Sequence, residues 1–187
     1  GINKSKSNKY FVPYDKGGDS DASEGWLPNY FVPHRYFIDW SKESVNRLKT
    51  YTVADFKKDN SLKHKIKLSD KKTTASVIRN PHYYFKNGIS YSSLGIYAPT
   101  FRVGNKVLFD QKSCLIKSNK YSHKMLLGIL CSKIIRFFSR SFITHTTDFQ
   151  VESAKLIRLP NLNDKQKEKI ITLVIEIIKK QKKNSRY

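Results

Sequence analysis

The chain has 187 residues, 39% of them hydrophobic, which suffices for one large domain or for a domain with a helical appendage. Lys and Arg number 36 against 15 Asp and Glu, a formal net charge of +21. This exceeds what solubility requires and points to partners of dense negative charge, nucleic acid first and an anionic membrane surface second. It shows neither a signal-peptide pattern nor an apolar run of membrane-spanning length.

The two cysteines, Cys114 and Cys131, form no CxxC pair, so free thiols in a reducing, cytoplasmic compartment are expected. The five histidines show no metal-ligand spacing. The abrupt start at Gly1 fits a piece excised from a larger protein.

In chain order, residues 9–14 (KYFVPY) fit a short edge strand, ended by Asp15-Lys16-Gly17-Gly18. Two glycines after a lysine can expose backbone amides to an anion, though a plain turn is the commoner outcome. Residues 35–40 (RYFIDW) fit a second strand. Ser41 is placed to cap a following helix, with Ser44 at its third position and Val45, Leu48 and Thr52 on its inner face. The stretch 57–72, KKDNSLKHKIKLSDKK, has the composition of a basic solvated loop.

The centre of the chain is 79–116. An aromatic triplet, Tyr83, Tyr84 and Phe85, precedes Lys86-Asn87-Gly88, and Asn-Gly is the strongest local hairpin signal. A second turn, Gly104-Asn105, is flanked by Phe101-Arg102-Val103 and by Lys106-Val107-Leu108-Phe109. Two strand-turn units bearing basic and aromatic side chains are therefore expected. The plainer reading is a small β core with tyrosines on its rim.

One helix is expected over 122–140, capped by Ser122, with Met125, Leu126, Ile129, Leu130, Ile134, Phe137 and Phe138 as its core face. Residues 155–159 fit a short strand halted by Pro160. Asn163 and Gln166 form a capping box for a last helix, whose inner face would be Ile170, Leu173, Val174, Ile177 and Ile178. The basic tail, 179–187, is expected to fray. The expected class is α+β: a small mixed or antiparallel sheet, a packed helix and a C-terminal helix. The expected division is a main domain over 1–162 and the helix with its tail over 163–187.

Catalytic signals are sparse. Asp39, Asp55, Asp110 and Asp148 are scattered singly, with no phosphate-gripping loop, dinucleotide fingerprint or methyl-donor loop. No catalytic residue, metal or cofactor is expected in this chain.

The core RNPHYYFKNGISYSSL resembles the R-x-x-x-YYFKxGITWS segment in specificity domains of large adenine-N6 DNA methyltransferases, among them Type IIG restriction-modification enzymes and BREX-type phage-defence methyltransferases. Other pieces follow in the same order. Lys16-Gly17-Gly18, Trp26 and Phe37-Ile38-Asp39-Trp40 resemble KGG...W...V-x-W, and Phe101-Arg102 with Leu108-Phe109-Asp110 resembles F-x-x-R...F-x-F-D. Residues 126–133 (LLGILCSK) resemble LLGLLNSK, and Phe149-Gln150-Val151 through Leu159-Pro160 resembles FQVxDIxxLPIP. Tyr91 stands where tryptophan is common in that family, and the family's N-P-P-[YF] motif is absent; Asn80-Pro81-His82-Tyr83 imitates it without the second proline.

The resemblance implies a target-recognition domain that binds double-stranded DNA and performs no chemistry itself. A methyltransferase domain preceding it in the parent would use S-adenosylmethionine, with magnesium where the parent also cuts. The residues it places on DNA are Lys16, Gly17, Gly18, Arg79, Tyr83, Lys86, Asn87, Tyr91 and Arg102. Arg79 and Arg102 are the expected readers of base edges, because a guanidinium fork matches guanine O6 and N7. Lys86 is expected on a phosphate, and the alternative for both arginines is to be plain surface groups or to pair with Asp39 or Asp110. An RNA-binding or ribosome-associated module is the alternative function, and a metal-dependent nuclease a third.

Overall fold

Residues 87–92, NGISYS, alternate in the strand period, so Ile89 and Tyr91 leave one face of the sheet and Ser90 and Ser92 the other. The computed structural model, which describes residues 3–4, 9–16, 28–50, 78, 80–93, 99–109, 112–146 and 148–185, is built around this segment. The chain divides into two compact units, one of Gly1–Val12 and Phe37–His82, the other of Pro13–Tyr36 and Tyr83–Tyr187. The C-terminal helix and tail expected over 163–187 fall within the second unit.

In the first unit, strand β1 (Asn3–Lys4) pairs antiparallel with β2 (Tyr10–Asp15) through Asn3↔Phe11 and Lys4↔Tyr10. Strand β3 (Tyr36–Asp39) leads into helix α1 (Lys42–Thr50). Ser41 Oγ accepts from the Ser44 backbone N–H at 3.3 Å, the cap expected from sequence. Asp39 closes the junction, accepting from Ser44 Oγ at 2.7 Å, and from the backbone N–H groups of Tyr10 and Ser41 at 3.0 Å each. The bond from the Ser44 hydroxyl, aided by the backbone donors, holds the Asp39 carboxyl down at about 2.

The second unit carries a three-stranded antiparallel sheet. Strand β4 (Asn87–Ser92) lies between β5 (Phe101–Asn105) and β7 (Ser113–Ile116), and β6 (Leu108–Phe109) pairs in parallel with the end of β2 through Tyr14↔Leu108 and Asp15↔Phe109. The register sets Ile89 opposite Val103 and Ile116, and Tyr91 opposite Phe101 and Cys114. Two helices, α2 (His123–Leu130) and α5 (Asp164–Asn184), complete the core, in which Ile89, Tyr91 and Phe101 pack with Met125, Leu126, Leu127, Ile129, Leu130, Phe149 and Val174. The Tyr91 ring sits 5.6 Å from that of Phe101 and 5.7 Å from that of Phe149. Burial pushes the Cys131 thiol up to about 12, and it donates to the Phe101 carbonyl at 3.3 Å. Gly128 lets α5 come close, since a Cβ there would sit 2.5 Å from Ile170 Cγ2 and 2.9 Å from Val174 Cγ2. The α+β class is thus as expected.

Several local expectations give way to packing. Asn87-Gly88 and Gly104-Asn105 form no turns; they pair with each other inside the β4–β5 ladder. The glycines are used for proximity: a Cβ on Gly88 would meet Ile116 O at 2.6 Å, and one on Gly104 would collide with Ser90 Oγ. The single helix expected over 122–140 is two, because Ser132 accepts from the Ile135 N–H at 3.3 Å and starts α3 (Lys133–Phe138), followed by a π-helical turn, Ser139–Ile143. The break shifts the phase, burying Ile135 while Ile134 and Phe137 remain exposed. Ser122 makes no side-chain cap bond.

The strand expected over 155–159 is absent; a short helix, α4 (Val151–Lys155), precedes irregular chain there, supported by a Lys155–Glu152 pair at 2.8 Å. The capping box at α5 forms in full, with Gln166 N–H donating to Asn163 Oδ1 at 2.9 Å and Asn163 N–H to Gln166 Oε1 at 3.0 Å. That helix runs to Asn184, and Leu173 lies exposed while Ile171 joins the packed face. The basic stretch 57–72 lies outside the described residues.

Candidate nucleic-acid interface

The β4–β5 ladder ends at the Asn87↔Asn105 pair. Beyond it the two chains stay together, with Lys106 N–H donating to Lys86 O at 3.3 Å and Phe85 N–H to Val107 O at 3.2 Å. The approach to β4 is folded back by a 3₁₀ turn, Pro81–Tyr83, and by a bond from Lys86 N–H to Tyr83 O at 3.3 Å. The result is a tip carrying Tyr83, Phe85, Lys86, Asn87, Asn105 and Lys106, all exposed. Directly opposed residues of an antiparallel pair leave the same face, so the Asn87 and Asn105 amides emerge side by side. The two lysines follow next along the chain and set two positive charges at one edge.

This tip brings together three of the residues expected from sequence, Tyr83, Lys86 and Asn87, and adds three that were not expected there: Phe85, Asn105 and Lys106. The signal for the additions was long-range. Asn105 and Lys106 belong to the site only because β5 pairs with β4, 18 positions apart at that register.

The other expected residues are placed differently. Arg102 is 2% exposed, so it reaches no base edge. Its Nη2 pairs with Asp15 Oδ1 at 2.6 Å, and its Nη1 donates to Ser92 Oγ at 3.3 Å. Asp39 serves the α1 cap, and Asp110 lies outside the described residues. Tyr91 is 1% exposed and belongs to the core, which removes it from any contact surface. Burial raises its phenol above the ordinary range. Gly17, Gly18 and Arg79 lie outside the described residues.

Lys16 is exposed, its Nζ 4.9 Å from the centre of the Tyr36 ring. Beside it lies a hollow lined by Tyr14, His34, Arg35 and Val107, with a volume of about 30 Å³. At 10–15 Å³ per water that holds roughly two or three waters. Among the described residues no three His, Cys, Asp or Glu side chains are grouped to hold a metal ion. No described helix is long and apolar enough to cross a membrane.

Neither a protein-family model nor a curated protein sequence matches this chain.

Proposed function

We propose that this chain binds double-stranded DNA as the target-recognition module of a site-specific adenine-N6 methyltransferase whose catalytic domain lies elsewhere in the parent protein. The observation that carries the reading is the tip of the β4–β5 ladder, where exposed Lys86 and Lys106, bonded backbone to backbone, adjoin the opposed Asn87 and Asn105 in a chain of net charge +21. Lys86 and Lys106 supply phosphate contacts, which fix register without carrying sequence information. With Arg102 buried, Asn87 and Asn105 join Arg79, which lies outside the described residues, as base readers, because a carboxamide donates to adenine N7 and accepts from its N6 amino group. The motifs shared with methyltransferase specificity domains, YYFKNG above all, support the same reading. Methyl transfer and any strand cleavage belong to the parent, along with S-adenosylmethionine and magnesium.

The test is a titration of a labelled duplex at several salt concentrations, with the wild-type chain and with Lys86→Gln/Lys106→Gln. Counterion release makes affinity fall steeply with salt, and the double variant lowers the logarithmic slope by roughly two. Affinity indifferent to salt overturns the reading. Tighter binding to folded RNA than to any DNA duplex replaces it with an RNA-binding module.

A further inference from the structure

The tip exposes two aromatic rings that phosphate contact and base-edge reading leave unused. Tyr83 and Phe85 show 41% and 38% of their surface. Phe85 also has φ 59°, in the left-handed region that disfavours bulky residues and that glycine or asparagine adopts readily. Lys106, bonded across to Lys86, has φ 51°. The sequence thus holds a large apolar ring at the end of the sheet, in a backbone conformation unsuited to it and next to Lys86 in the chain.

A fully paired duplex has little to offer such rings, since both faces of each base are covered by its neighbours. An unpaired base presents a free π-face, and stacking of bases on aromatic side chains is the main attraction in single-strand recognition. The exposed lysines of the same tip suit the phosphates that flank such a base.

We propose that this tip binds an unpaired DNA base, with Tyr83 and Phe85 stacking on it and Lys86 and Lys106 holding the adjoining phosphates. The inference rests on the DNA-binding reading above and deepens it from duplex affinity to recognition of a locally opened site.

The experiment measures binding of the whole chain to two labelled DNAs: a paired duplex, and the same duplex with one additional, unpaired adenine. The expected result is tighter binding to the second, by roughly 5- to 150-fold, the range found for one base–aromatic stack. With 2-aminopurine as the unpaired base, binding quenches its fluorescence. Tyr83→Ser/Phe85→Asn should abolish both the preference and the quenching, and asparagine tolerates the Phe85 backbone, so the fold is kept. Tyr83→Leu, which leaves position 85 untouched, should reduce both; circular dichroism and thermal melting check that each variant folds. Equal wild-type affinity for the two DNAs overturns this inference and leaves duplex binding standing. A preference that persists without quenching, or in the folded double variant, also overturns it, since it then stems from the flexibility of the interrupted duplex. Failure to bind either DNA overturns both the inference and the DNA-binding reading.

Discussion

Asp15→Ala should destabilise this protein more than any substitution of an exposed lysine. The Arg102 side chain is 3% exposed and that of Asp15 14%, with 2.6 Å between Nη2 and Oδ1. Removing the carboxylate leaves a guanidinium in the interior whose remaining described bond is the 3.3 Å contact with Ser92 Oγ. Stranding one member of a buried ion pair costs about 3–5 kcal/mol. For a chain of this size that lowers Tm by about 6–20 °C. Arg102→Met should cost less, because Asp15 is the more exposed partner and regains water more readily. Asp15→Ala/Arg102→Met should recover most of the loss, since no unpaired charge remains. Urea unfolding of the four proteins, followed by fluorescence, gives the cycle. A loss below about 1 kcal/mol for Asp15→Ala, the range of exposed pairs, would refute the argument. The same series separates scaffold from reader: if Arg102 touched bases, Arg102→Met would change target choice in the parent and leave melting unaltered.

Two other outcomes follow from the packing and the caps. Gly128→Ala should destabilise by about 1–3 kcal/mol, the range for overpacking, although alanine ordinarily improves a helix; the added Cβ meets Ile170 Cγ2 at 2.5 Å. An unchanged or raised urea midpoint would show that α5 yields freely at that contact. The Asp39 carboxyl is held at about 2, below its unfolded value, first by the Ser44 hydroxyl. The stability it confers is therefore complete above about pH 4 and is lost as pH falls through about 2. Acid unfolding of wild type and Asp39→Asn should converge across that window, and a constant gap between them would rule out Asp39 as its source.

What was legible in the sequence was local. The Asn163–Gln166 capping box, the Ser41–Ser44 cap and the strands near residues 9–14 and 35–40 are set by neighbours a few positions apart, and the folded chain keeps them. The α+β class followed from the alternation of short extended runs with amphipathic stretches, and the charge of +21 needed only counting. Tertiary structure decided whatever depended on distant partners. Asn87-Gly88 has turn propensity, yet it lies in a strand opposite Gly104-Asn105, where Ile116 and Leu115 come so near that a side chain at Gly88 has no room. Arg102 has the chemistry of a base reader, yet a carboxylate 87 residues away draws it inside. Asn105 and Lys106 join Asn87 and Lys86 through strand pairing alone. Short-range hydrogen bonds can be read from spacing, whereas burial and ion pairing depend on which surfaces the folded backbone brings into contact, and spacing does not encode that.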